Sequence, residues 1–285
     1  MFPSQFAYHR PHSVEEAVSL LQQDPDAKIL AGGHSLLPAM KLRLASPTAL
    51  IDLAKVDELR GITVNGGVRI GAMTTYREMY DSEELRRQFP MIPETIYVLG
   101  DLQVQNRGTI GGSLAHNDPA ADLTAVFVAL GGSVTAVRAG GDRTIPADEL
   151  FVDLLTTSLQ PDEIITQVTL PVPTGRTGMA YEKYRHPASG YAVVGVAAVL
   201  SFGDGDTCSA ARLAVTGATS KPTRLTAIEN GLTGQVVSSE TIADAAATAG
   251  DGLDINGDHY ASADYRRHLV GVYTRRALEK AFERA

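Results

Sequence analysis

Apolar residues recur along this chain with two different periods. In "SVEEAVSLLQQ", Val14, Ala17, Val18 and Leu21 fall on one helical face, and Ser13 with Glu16 has the spacing of a capping box. "TTYREMYDSEELRRQF" opens with Thr75 and Glu78 at the same spacing and predicts a second helix. "PMIPETIYVLGDLQVQN" predicts a third, weakened by Gly100. "DPAADLTAVFVALGG" predicts a fourth, with Asp118 as N-cap, Pro119 in the first helical position and Gly131 at the end. Short apolar runs predict strands at "AKILAGG", "ALIDLAKV", "VRIGAMT", "SVTAVRA" and "IITQVTLPV". "DELRGITVNGG" reads as turn and strand, with Asn65-Gly66 as a hairpin signal. The stretch "PVPTGRTG", residues 171–178, is the best candidate for a domain boundary. Beyond it come two strands, "YAVVGVAAVLSF" and "ARLAVTGA", and two helices, "SSETIADAAATA" and "ADYRRHLVGVYTRRALEKAFERA".

Composition narrows what these elements can serve. The 285 residues are enough for two or three compact units, and 44% hydrophobic with 20% charged is ordinary for a globular protein. A formal net charge of −8 argues against nucleic acid or an anionic membrane as the main partner. No apolar run approaches the roughly 20 residues that a membrane helix needs. The start, "MFPSQFAYHRPHS", lacks the charged-then-apolar pattern of a signal segment, so a cytoplasmic location is expected. Cys208 is the single cysteine. It excludes an internal disulfide framework, and an iron–sulfur cluster that takes four cysteines cannot be supplied by this chain alone.

The glycines carry the candidate chemistry. With 27 Gly in the chain, composition alone yields about two or three Gly-Gly pairs, and there are five. The pairs at 66, 131 and 140 read as plain turns. Those at 32 and 111 differ, because each follows a short apolar run, "KIL" or "TI", and precedes a polar stretch with a serine, Ser35 or Ser113. Glycine lets backbone approach a ligand closely and can aim successive N–H groups at an anion, and the serine hydroxyls could add donors. The alternative is a pair of tight turns, and spacing alone does not separate the two. No GxGxxG after a strand and no GxxxxGK[ST] is present, so a Rossmann domain or a P-loop is not expected.

"AGGHSLLPAMKLRLASPTALIDL" together with "NRGTIGGSLAHNDPAADL" closely resembles the flavin-carrying medium subunit of the molybdenum hydroxylases, the family of aerobic carbon monoxide dehydrogenase and xanthine dehydrogenase. The likeness continues through "YEKYRHPASGYAVVGVAAVL" to the last helix. It implies an α+β chain: a two-lobed vanillyl-alcohol-oxidase-like (PCMH-type) FAD-binding domain over 1–176, with lobes at about 1–54 and 55–176, then a smaller α+β domain over 177–285. It implies that Ala31, Gly32, Gly33, His34 and Ser35 in one loop, and Thr109, Ile110, Gly111, Gly112 and Ser113 in the other, close over the FAD diphosphate. By the same resemblance Lys28 lies near the cofactor, although a solvent-exposed strand-start lysine is an equal reading. Asp122 makes a polar contact with FAD, and Leu159 an apolar or backbone contact near the flavin. Lys183 places a cation beside the ring, and Tyr191 covers the ring face. His34 is read as a loop residue and not as a base. His116, Arg107 and Asn117 are read as residues that fix the loop.

The function implied is electron transfer, with no catalytic residue of this chain's own. FAD, bound without a covalent link, collects electrons from a small [2Fe-2S] subunit, which takes them from a large subunit holding the molybdenum cofactor, and hands them to an external acceptor. The assembly implied is a dimer of heterotrimers. Two other readings remain: a self-contained flavin oxidase or dehydrogenase of the same fold, and a non-catalytic nucleotide-binding assembly module.

Overall fold

The computed structural model describes residues 2–285, which form three main sheets and a two-stranded hairpin. The first is small and parallel. It is built from β1 (Ala7–His9), β2 (Lys28–Leu30) and β3 (Ala49–Asp52) in the order β1-β3-β2, with α1 (Val14–Gln23) and α2 (Leu36–Lys41) in the crossovers. Ser13 caps α1 by accepting from Glu16 N. The Glu16 carboxylate reaches back to His12 N, one residue before the position that a capping box requires. Val14, Ala17, Val18 and Leu21 are buried against β3, as their spacing requires.

The second sheet is antiparallel. It contains β4 (Ile62–Val64) and β5 (Val68–Gly71), then, after a long helical excursion, β6 (Ser133–Arg138), β7 (Gly141–Pro146) and β10 (Ile164–Leu170), in the order β4-β5-β10-β6-β7. The excursion runs through α3 (Tyr76–Asp81), α4 (Glu83–Gln88), α5 (Met91–Tyr97), α6 (Leu102–Arg107), α7 (Ile110–His116) and α8 (Asp122–Ala129). Between β7 and β10 lie α9 (Ala147–Leu150) and a small hairpin of β8 (Phe151–Asp153) and β9 (Thr156–Thr157).

Three of the predicted helices are corrected by hydrogen bonding and backbone geometry. The helix from Thr75 starts with a complete Thr75–Glu78 capping box but breaks at Ser82, whose hydroxyl accepts from Leu85 N and starts a new helix. The helix over 90–106 breaks at Gly100, which sits at φ +56. The helix expected from Asp118 begins at Asp122. Asp118 caps only a turn, through Ala120 N at 2.9 Å. Asn117 at φ 48 ends α7 in the left-handed region, and Thr216 and Gly217 take the carbonyl of Pro119 at 2.7 Å each. These bonds from a strand almost 100 residues away hold 118–121 out of the helix.

The third sheet comprises β11 (Arg176–Arg185), β12 (Ala192–Phe202), β13 (Cys208–Thr216) and β14 (Thr223–Arg224), all antiparallel and in chain order. Strand β11 was not among the predicted strands. α10 (Thr226–Leu232), α11 (Ser239–Ala247) and α12 (Ala263–Glu283) complete the chain, and α12 lies along β11 and β12. The fit there is close: a Cβ on Gly178 would stand 1.8 Å from the Ala281 carbonyl oxygen. The opposite face of this sheet receives α8, which after Asp122 is apolar except for Thr124 and wholly buried. Leu123, Val126 and Phe127 each contribute about 1.5–3 kcal/mol by leaving water. A helix so placed has its first residue, a carboxylate, inside the protein, and that governs the site.

Candidate functional site

The two glycine segments meet. Gly32 lies flat against the chain that leads into the second segment: a Cβ there would fall 2.0 Å from the Arg107 carbonyl oxygen and 3.1 Å from Gly108 Cα. A Cβ on Gly112 would fall 3.4 Å from the Ala31 methyl, in the gap between the segments. Gly111 rests on Ala72, where a Cβ would come within 2.5 Å of its methyl. Only Gly33, at φ +80, has the left-handed backbone that itself demands glycine. The other three are glycine because neighbouring backbone or a narrow gap leaves no room for more.

The segments divide the work differently from the sequence expectation. The second pair does not follow a strand. Thr109 makes an isolated bridge with Thr75 and caps α7, accepting from Gly112 N at 3.2 Å. Its remaining N–H groups are also taken: Ile110 N donates to Thr74 O at 3.2 Å, Gly111 N to Ala72 O at 2.9 Å and Ser113 N to Thr109 O at 3.0 Å. The second segment therefore supplies a smooth glycine wall with the Thr109 and Ser113 hydroxyls. In the first segment, among the described residues, the N–H groups of Gly32, Gly33, His34 and Ser35 meet no protein acceptor. Ser35 begins α2 without using its hydroxyl as a cap. Unpaired main-chain donors beside a surface stripped of side chains form a cradle for an anion.

Below the wall lies a residue that periodicity did not single out. Tyr76 is buried, its N–H donates to Gly108 O at 2.9 Å, and its ring occupies the space where a Gly108 Cβ would stand. Burial pushes its phenol up to about 12, opposed by a hydrogen bond with Ser113. The sequence signal was present in Tyr76 following the Thr75 cap, but nothing local places that ring under a segment 30 residues on.

Asp122 and Lys183 form one buried pair. The ammonium donates to Asp122 Oδ1 at 2.9 Å and Oδ2 at 3.0 Å, and to the Gly190 carbonyl at 3.0 Å. The Tyr181 hydroxyl donates to Asp122 Oδ1 at 2.5 Å. The two charged side chains are 5% and 3% exposed. Burial pushes the Asp122 carboxyl up, opposed by the Lys183 charge and the two hydrogen bonds, and burial with the nearby Asp122 charge raises Tyr181. The two residues expected to meet FAD, the Lys183 cation and the Asp122 carboxylate, are thus paired with each other inside the protein. A buried charge requires a partner, and each of these has the other. Tyr191 is 48% exposed, and partial burial, followed by the charges of Asp118 and Asp122, raises its phenol.

The remaining candidates scatter. Lys28 is exposed at the start of β2, and His34 is exposed in the first segment. Leu159 packs, half-buried, against the core of the second sheet. Asn117 holds the β8–β9 hairpin, donating to Asp153 O at 2.7 Å and Thr156 O at 2.9 Å. A cleft of about 500 Å³ runs beside β11, lined by Tyr80, Pro93, Tyr97, Tyr181, Glu182 and Lys183 among others. Among the described residues no group of three or more His, Cys, Asp or Glu could hold a metal ion, and no helix is long and apolar enough to cross a membrane.

Two known families match the chain. Residues 4–173 match the FAD binding domain in molybdopterin dehydrogenase, and residues 179–281 match the CO dehydrogenase flavoprotein C-terminal domain. The chain is 39% identical over 290 residues to the carbon monoxide dehydrogenase medium chain of Hydrogenophaga pseudoflava, covering 100% of this chain and 99% of that one. It is 41% identical over 276 residues to the nicotine 6-hydroxylase medium subunit of Paenarthrobacter nicotinovorans, covering 96% of each. A solved structure of the Hydrogenophaga pseudoflava carbon monoxide dehydrogenase, in a form lacking the Mo-pyranopterin moiety, superposes with a TM-score of 0.96 at 39% identity, covering 100% of both chains.

Proposed function

The chain belongs to the family of FAD-binding domains of the molybdopterin dehydrogenases, and from that membership we propose that it is the electron-transfer flavoprotein subunit of a molybdenum hydroxylase-type complex. It is an oxidoreductase subunit that acts with other chains. Its partners are a small subunit with [2Fe-2S] clusters and a large subunit with the molybdenum cofactor, assembled as a dimer of heterotrimers in the cytoplasm. We assign residues 1–176 to FAD and 177–285 to a C-terminal domain that closes over it.

The observation that supports this most is the meeting of the two glycine segments, with N–H groups of Gly32 to Ser35 that, among the described residues, meet no protein acceptor in one, and Gly112 in the other, beside Ala31. The residues present suit FAD held without a covalent bond. The first segment's N–H groups and the Ser35, Thr109 and Ser113 hydroxyls take the diphosphate, and Tyr191 takes the ring face. Bound there, FAD accepts electrons singly or in pairs and releases them to a second carrier. The chain's own part is to bind, to orient and to cover. Relatives named for carbon monoxide and for nicotine share this medium subunit at near-equal identity. The pocket that selects the substrate therefore belongs to a partner.

The test is biochemical. Acid precipitation of the purified chain should release FAD, leaving a colourless pellet. The loaded chain should be bleached by dithionite and turn over no organic substrate or carbon monoxide alone. Flavin retained in the pellet, or turnover by the single chain, overturns the reading.

A further inference from the structure

Tyr191 follows a turn, "HPASG", that is tied to the helix after the second glycine segment through one ammonium group. The base of the turn is set by its own backbone: His186 N donates to Tyr191 O at 2.8 Å and Gly190 N to His186 O at 2.9 Å. The His186 ring accepts from Ala188 N at 3.2 Å and from Ser189 N at 3.3 Å. Gly190 is at φ +75, with the Arg185 guanidinium 3.0 Å from where its Cβ would stand. The peptide that joins Gly190 to Tyr191 is then held from inside the protein, because its carbonyl accepts from Lys183.

Lys183 has three protons and three acceptors: both Asp122 oxygens and the Gly190 carbonyl. Asp122 begins α8, six residues after His116 ends the helix that carries Gly111 and Gly112. The link from the glycine wall to Tyr191 thus runs through α7, the 118–121 turn, Asp122, Lys183 and Gly190. Tyr191 itself is half exposed and has two free side-chain torsions, so its placement is decided by its backbone.

We infer that Lys183 is a positioning residue: the Asp122–Lys183–Gly190 latch fixes the Tyr191 turn at a set spacing from the glycine cradle, so that the ring end and the diphosphate end of one cofactor are held in register. The inference rests on the FAD reading above and assigns Lys183 a part in it that acts through Tyr191 and not on the flavin. Tyr181 donates to Asp122 Oδ1, the oxygen it shares with Lys183, and helps to keep the carboxylate turned toward the lysine.

Four variants and three readouts test it on the full-length chain. Lys183→Met alone leaves a buried carboxylate, so the paired variant Asp122→Asn/Lys183→Met, which removes both charges, accompanies it. Hydrogen exchange reads the latch with or without flavin: amides of 186–191 should exchange about ten- to a hundredfold faster in the paired variant, as expected for one lost charged hydrogen bond. Unchanged exchange there overturns the latch. Flavin fluorescence of the FAD-loaded chain reads the consequence, since a phenol against the ring quenches it. The paired variant and Tyr191→Ala should each raise the fluorescence, and adding Tyr191→Ala to the paired variant should add nothing. Additive effects, with the reduction potential falling equally in the Tyr191→Ala background, mean that Lys183 acts on the ring directly and overturn the positioning role. A wild-type chain that takes up no FAD fails the FAD reading, and hydrogen exchange then decides the latch alone.

Discussion

Gly32 and Gly112 offer the sharpest separation between binding and folding. A methyl at Gly32 meets backbone, 2.0 Å from Arg107 O and 2.8 Å from its carbon. Ordinary contacts are more than 1 Å longer, and backbone on both sides must part to give that room. Gly32→Ala should therefore cost about 3 kcal/mol of stability, the upper end for overpacking, together with FAD. A methyl at Gly112 meets only the Thr109 hydroxyl at 2.8 Å and the Ala31 methyl at 3.4 Å. In the folding balance, Ala gains about 1 kcal/mol over Gly within a helix. Displacing the Thr109 cap from Gly112 N costs about the same. The net change in stability is near zero. The methyl nevertheless stands in the gap between the two segments, and a diphosphate forced off one or two charged hydrogen bonds loses about 2–4 kcal/mol, or about 30- to 700-fold in affinity. The assay pairs FAD titration by fluorescence quenching with thermal unfolding of the FAD-free chains. Gly112→Ala should bind weakly with an unchanged melting temperature, and Gly32→Ala should lose both. Full affinity in Gly112→Ala would refute the cradle, because no folding defect could have compensated for it.

Three further outcomes follow from buried polar and steric contacts. Asn117→Ala removes two hydrogen bonds that hold the β8–β9 hairpin and leaves a β-carbon residue at φ 48, so denaturant unfolding should show a loss of about 2–4 kcal/mol. Gly178→Ala sets a methyl 1.8 Å from the Ala281 carbonyl and should separate α12 from β11, seen as loss of soluble folded protein or a sharply lower melting temperature. Glu163 accepts from Arg143 Nε at 2.7 Å, Arg143 Nη2 at 2.8 Å and Gln160 N at 2.7 Å, and the Arg143 hydrogen bonds hold its carboxyl below the usual range. A depressed carboxylate adds stability above its unfolded pKa of about 4.3 and loses it as pH falls through the lower folded value. Glu163→Gln should lower the melting temperature at pH 7 and flatten the fall of stability below pH 4 or so, and an unchanged acid profile would count against the pair.

Features set by near neighbours could be read along the chain. Ser13 and Thr75 cap helices because hydroxyl and amide lie three residues apart, and Gly131 ends α8 at φ +64 because a left-handed residue is needed there. The two glycine pairs stood out because a stretch without side chains is a local fact, and the long matching motifs around them carried the family. Other features depended on distant residues. Asp118 has every local mark of an N-cap, yet Thr216 and Gly217 claim the carbonyls that would have joined the helix. The glycine wall offers no free N–H on Gly111 or Gly112, because Ala72 O takes the first and the Thr109 hydroxyl the second. Lys183 reads as a cation available to a ligand until α8 is buried against the third sheet and brings Asp122 to it. Charge pairing, close approach and burial of a helix end are set by which elements meet. Residue order determines which groups are available to meet, and only the packed chain decides which of them find each other first.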